Sequence, residues 1–100
     1  MNKDILQENK PVVVEDTITV TSFVRMYKIL LHNDDVNNIL HVVDSLVQVF
    51  KFDGKIAFKI MLEAHLKGLA LCKTEAREQA EFHREQLQSL SLTATIEPET

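Results

Sequence analysis

A strand-like run from Met26 to His32 stops at Asn33-Asp34-Asp35, and helical spacing begins just beyond it. This junction constrains the chain more than any other feature. Near-continuous apolarity in the run predicts a strand covered on much of both faces, with Met26, Lys28 and Leu30 on one side and Tyr27, Ile29 and Leu31 on the other. Three amide and carboxylate side chains at the strand end make a cluster of hydrogen-bond acceptors. A second segment, Met61 to Gly68, places His65 on an otherwise apolar helical face. If the two segments meet, they enclose a small apolar pocket with a polar rim. Such a pocket suits a ligand with a cationic head and an apolar body.

The remaining elements follow from spacing and caps. Asn37 or Asn38 can cap a helix in which Ile39, Val42, Val43, Leu46 and Phe50 recur at helical intervals. Asp53-Gly54 breaks it, and Asp53 can cap the next helix, whose inner stripe reads Ala57, Ile60, Met61, Ala64 and His65. Gly68 is placed to end that helix in a left-handed conformation. Leu69 to Lys73 reads as a second strand. Thr74 can cap a third helix with Glu75 and Glu78 in its first turn, and Ala76, Ala80, His83 and Leu87 along one face. Leu92 to Ile96 alternates as a third, edge strand ended by Pro98. The expected fold is α+β: a small three-stranded antiparallel sheet packed against three helices in the order βααβαβ. Residues 1–22 are expected as a mobile tail with a short extended segment at Pro11–Val14, residues 23–97 as the core, and residues 98–100 as a C-terminal tail.

One hundred residues allow one small domain. A net charge of −4 argues against a nucleic-acid partner, which calls for a basic patch. No apolar run approaches the ~20 residues of a membrane span, and the N-terminus lacks the apolar segment of a signal peptide. Cys72 is the single cysteine, so no internal disulfide forms; it reads as a buried packing residue in a reducing cytoplasm. His32, His41, His65 and His83 lack metal-site spacing, and no glycine-rich phosphate loop is present. No metal or cofactor is expected. On these residues alone, Asn33-Asp34-Asp35 also reads as a turn with a helix cap, and His65 as a satisfied core histidine.

From Tyr27 to Glu97 the chain resembles the ClpS family of ATP-dependent Clp protease adaptors. The resemblance rests on "YKILLHNDD", "VVDSL", "IMLEAHLKGLALC", "REQAE" and the closing "TIEP", in one order over about three-quarters of the chain. The NDD motif together with histidine–x–x–glycine is far more specific than either alone. "HVVDSL" and "GLALC" look most like cyanobacterial or plastid members. The resemblance implies an adaptor that performs no chemistry. It binds N-degron proteins or peptides by a free α-amino group and a large hydrophobic first residue. It delivers them to a Clp AAA+ ATPase of the ClpA or ClpC type that feeds ClpP. It implies a cytoplasmic protein, monomeric when free, with no membrane and no nucleic-acid partner.

The resemblance also assigns residues. Asn33, Asp35 and His65 match positions that hold the substrate's α-amino group, and Asp34 belongs to the same motif. Ile39, Val42, Met61 and Ala64 match the hydrophobic pocket, with Asn37 at its mouth. Glu78 and His83 match the patch that docks on the ATPase. Bacterial members follow NDD with aromatic-Thr-Pro-Met, whereas this chain has Val36, Asn37, Asn38 and Ile39. Ile39 thus stands where a flexible methionine gates the pocket, Asn37 replaces a threonine, and His83 stands at a lysine position. Two rival readings remain. One is a ClpS-like module that docks on the ATPase and alters substrate choice with little N-degron binding. The other is a small metal-dependent hydrolase using Asp34, Asp35 and His65.

Overall fold

The computed structural model describes residues 11–13, 21–23 and 25–100. Its elements are β1 (Pro11–Val13), β2 (Thr21–Phe23), β3 (Met26–His32), α1 (Ile39–Phe50), α2 (Gly54–Lys67), β4 (Leu69–Ala76), α3 (Arg77–Ser89) and β5 (Ala94–Pro98). From β3 onward the order is βααβαβ, as the spacing predicts. β1 and β2 pair antiparallel, with Pro11 opposite Phe23. They fall largely within the segment expected as a tail; the rest of residues 1–22 lies outside the described residues.

β3 is the central strand of the three-stranded sheet, with β4 and β5 on either side, both antiparallel to it. Ile29 and Leu31 enter one core with Leu46, Val49 and Phe50 of α1, Ala57, Ile60 and Ala64 of α2, and Ala80 and Leu87 of α3. Leu30 points away from that core, yet is only 8% exposed. It lies between Leu71 of β4 and Thr95 of β5, which explains why the strand reads as apolar on both faces. A bulge between Ile29 and Leu30 leaves Cys72 without a direct partner on β3. Its thiol is buried, and that burial pushes its pKa up to about 12.

The helix ends show which sequence signals dominate. Asn38, rather than Asn37, caps α1: its side chain accepts from His41 N–H at 2.9 Å. Asp53 caps α2 by accepting from Lys55 N–H at 2.9 Å. Gly68 closes α2 at φ 89°, with its N–H on the Ala64 carbonyl. The expected Thr74 cap does not form. β4 runs on to Ala76, with Thr74 opposite Lys28 and Glu75 opposite Tyr27. Glu75 is held there by His83 at 2.7 Å and Lys73 at 3.5 Å, so α3 starts two residues later than Glu75. At the far end, Pro98 closes β5 and Glu99 N–H donates to the Met26 carbonyl. Part of the expected 98–100 tail is therefore tied to the sheet.

Candidate functional site

The two sequence motifs meet through the backbone. β3 ends at His32, opposite Leu69, and the next N–H, that of Asn33, donates to the Gly68 carbonyl at 3.1 Å. The left-handed turn at Gly68 lets α2 stop and β4 begin within one residue. His65 lies in the last turn of α2, just before that junction. It is exposed at the edge of the helix, whose buried stripe is Ala57, Ile60, Met61 and Ala64.

The loop from Asn33 to Asn37 is organised by Asp34. Its Oδ1 accepts from the N–H groups of Val36 and Asn37, each at 3.0 Å. Its Oδ2 accepts from Asn37 Nδ2 at 3.1 Å and from Thr93 Oγ1 at 3.5 Å. The Asn37 N–H bond is the main cause that holds the Asp34 carboxyl below its ordinary value, against the opposing effect of burial. By contrast, the side chains of Asn33, Asp35 and His65 are exposed and engage no hydrogen-bond or ion-pair partner among the described residues. Asp34 thus shapes the loop, while its neighbours present unengaged polar groups.

Behind this rim lies a cavity of about 50 Å³, room for a few water molecules. Leu31, Val42, Met61, Ala64 and Leu92 form its apolar wall, and His32, Asn33, Asp34, Asn37, Ile39 and His65 its mouth. All four residues expected in the hydrophobic pocket therefore line it. Asp35 does not; it lines an adjoining open groove with Asn38, Leu40, Ile39 and His65. Leu92 is a lining residue that periodicity could not identify. It follows α3 through a left-handed Ser91 (φ 73°) and reaches the cavity from a distant part of the chain. His32 is a second lining residue without a sequence signal for that place, and its Nε2 lies 2.7 Å from Thr95 Oγ1.

The two α3 residues that match the docking patch differ in exposure. Glu78 is exposed in the first turn. The His83 side chain is only 15% exposed, because its ring packs against Phe50 at 5.0 Å and its Nδ1 bonds to Glu75. Among the described residues, no group of three His, Cys, Asp or Glu side chains is placed to hold a metal ion. No helix among them is long and apolar enough to cross a membrane.

The family model described as ATP-dependent Clp protease adaptor protein ClpS matches residues 12–95. The chain belongs to the ClpS family. An adapter protein ClpS of Gloeobacter violaceus is 44% identical over 75 residues, spanning 74% of this chain and 81% of that one. An adapter protein ClpS of Synechococcus elongatus is 42% identical over 85 residues, spanning 84% and 90%. The solved structure of Agrobacterium tumefaciens ClpS2 bound to L-phenylalaninamide superimposes with a TM-score of 0.73 at 30% identity. It covers 75% of this chain and 98% of that one. This ClpS chain is accordingly an adaptor of the Clp protease.

Proposed function

We propose that this ClpS chain recognises N-degron substrates and delivers them to a Clp ATPase of the ClpA or ClpC type that feeds ClpP. The observation that carries the reading is the pairing of an apolar cavity with unengaged polar side chains at and beside its mouth. A free α-amino group has a pKa near 7.7–8 and is mostly cationic at neutral pH. Asn33, Asp35 and His65 surround it, and Asp34 shapes the loop that holds two of them. Each hydrogen bond to a charged partner contributes about 1.5–3 kcal/mol. Burial of a Phe or Leu first side chain against Val42, Met61 and Ala64 adds roughly 1.5–3 kcal/mol. After the entropy of association is subtracted, the sum supports micromolar or tighter binding. The ligand of the Agrobacterium protein supports the same chemistry, since L-phenylalaninamide joins a free α-amine to a benzyl group.

The adaptor itself does no chemistry, acts in the cytoplasm and is monomeric when free. Its second face is the exposed side of α3 around Glu78, with His83 set behind it. The decisive experiment is a titration with Phe-initiated peptides, free or N-acetylated. Acetylation removes the charge and adds bulk, so affinity should fall by more than about tenfold, or ~1.4 kcal/mol. His65→Ala should weaken binding of the free peptide while the domain stays folded. Equal affinity for the two peptides sinks this reading in favour of a module that only docks on the ATPase.

A further inference from the structure

Two carbonyls just beyond α3, those of Leu90 and Ser91, are capped by side chains from the α1 end of the chain, His41 and Asn37. His41 Nε2 donates to the Leu90 carbonyl at 2.7 Å. Asn37 Nδ2 donates to the Ser91 carbonyl, also at 2.7 Å. The same Nδ2 donates to Asp34 Oδ2 at 3.1 Å. Both partners of the Asn37 amide are pure acceptors, so its orientation is fixed by chemistry: the NH2 group faces them and the oxygen faces away. Asn37 therefore has one proton on the loop that carries Asn33 and Asp35, and the other on the turn that carries Leu92 into the cavity wall. Ser91 is left-handed at φ 73°, and its N–H is returned to the Gln88 carbonyl. The turn is thus closed on itself and offers a fixed anchor. Weaker support for the same junction comes from Thr93 Oγ1 on Asp34 Oδ2 at 3.5 Å.

We propose that Asn37 is a positioning residue that clamps the Asn33–Asn37 loop to the α3–β5 turn. It sets how completely the amine site is formed before a ligand arrives, and it does not set which first side chain the cavity prefers. The proposal rests on the N-degron reading for its ligand, and on the hydrogen bonds alone for the clamp. A hydroxyl at this position has one proton and can serve only one of the two acceptors.

The test compares wild type, Asn37→Asp, Asn37→Thr and the exchange Asp34→Asn/Asn37→Asp. Peptides beginning with Phe, Tyr, Trp and Leu are titrated against each, and amide hydrogen exchange is followed at Val36, whose N–H lies on Asp34. Asn37→Asp removes both donors and sets two carboxylates together. All four affinities should fall by about tenfold in unchanged rank, with faster exchange at Val36. Asn37→Thr should fall between wild type and Asn37→Asp. The exchange variant restores a donor–acceptor pair in reverse and leaves Ser91 uncapped, so it should recover part of the loss. A loss of fold alone would not be recovered in this way. The clamp is overturned by unchanged exchange at Val36, by a changed peptide ranking, or by an exchange variant no better than Asn37→Asp. If wild type binds none of the four peptides, the N-degron reading fails and exchange at Val36 alone decides the clamp.

Discussion

Asn33 N–H and the Gly68 carbonyl are hydrogen-bonded at 3.1 Å, and this bond joins the acceptor-rich loop to the helix that carries His65. It forms because Gly68 turns left-handed at φ 89° and presents its carbonyl toward the end of β3. Beyond its own chain neighbours, nothing lies within 4 Å of where a Cβ on Gly68 would sit, so the demand for glycine is torsional rather than a matter of space.

Gly68→Ala should therefore destabilise the domain by about 1–2 kcal/mol, the cost of a left-handed L-residue. That corresponds to a Tm lowered by roughly 4–8 °C per kcal/mol for a domain of this size. Affinity for a Phe-initiated peptide should fall as well, because the carbonyl that holds Asn33 shifts. Gly54→Ala is the control. Gly54 opens α2 with equally open space around it and no left-handed backbone, so alanine there should be neutral or stabilising by about 0.4–1 kcal/mol. Thermal melts and one titration decide the pair.

Asp34 predicts an acid limb. Its folded pKa lies below the ordinary 3.8, chiefly through the Asn37 N–H. A group depressed on folding contributes stability above its unfolded pKa and loses it as pH falls through the folded value. Wild type should thus lose this contribution progressively as pH falls through 3.8 toward the lower folded value. Asp34→Asn should show a lower urea midpoint at neutral pH and a shallower decline below pH 4. Equal pH slopes for the two proteins would remove Asp34 as a source of the limb.

The two α3 residues should behave differently. Glu78 is exposed, so Glu78→Lys should weaken binding to the Clp ATPase with the melting temperature and peptide affinity unchanged. His83→Ala leaves Glu75, whose side chain is only 11% exposed, with Lys73 alone as its partner, and opens a gap beside Phe50. A loss of about 1–3 kcal/mol of stability is expected. A Glu78→Lys variant whose peptide affinity drops in parallel would break the two-face model.

Cys72 should be inert in the folded protein. The thiolate is the reactive form, and burial pushes this thiol up to about 12. A thiol reagent at pH 8 should label native protein slowly and urea-unfolded protein fast. Equal rates would show that the bulged part of β4 opens readily.

Local signals were legible in the chain and long-range ones were not. Asn38, Asp53 and Gly68 are caps whose chemistry acts within a few residues, and each sits where its type predicts. Helical spacing put Ile39 and Val42 on one stripe of α1 and Met61 and Ala64 on one stripe of α2; that the two stripes share a cavity came from the family resemblance, and all four residues line it. The start of α3 was misplaced because Glu75 looks like a helix first-turn acid. Its register with Tyr27 and its bond to His83 override that local preference. Spacing set His83 on the face of Ala80 and Leu87 but could not reveal its packing against Phe50, which lies on another helix. The Asn37–Ser91 contact joins residues 54 positions apart, and no spacing rule reaches that far.

Ile39 bears on selectivity. It is 50% exposed and lines both the cavity and the adjoining groove. A cavity of about 50 Å³ must widen to admit a phenyl or indole ring, and Ile39 is the apolar side chain at its mouth. Isoleucine is branched at Cβ and stiff at its first torsion, whereas methionine is unbranched and adapts. A stiff wall opens to fewer shapes, so wild type should discriminate sharply among large first residues. Ile39→Met should broaden acceptance among Phe, Tyr, Trp and Leu, changing their relative affinities more than the overall strength. Asn37→Thr should lower all four together, because its protons serve Asp34 and Ser91 rather than the ligand. Titrating the four peptides against both variants separates the two effects. An unchanged ranking in Ile39→Met removes Ile39 as the determinant and leaves Val42, Met61 and Ala64 to set the preference.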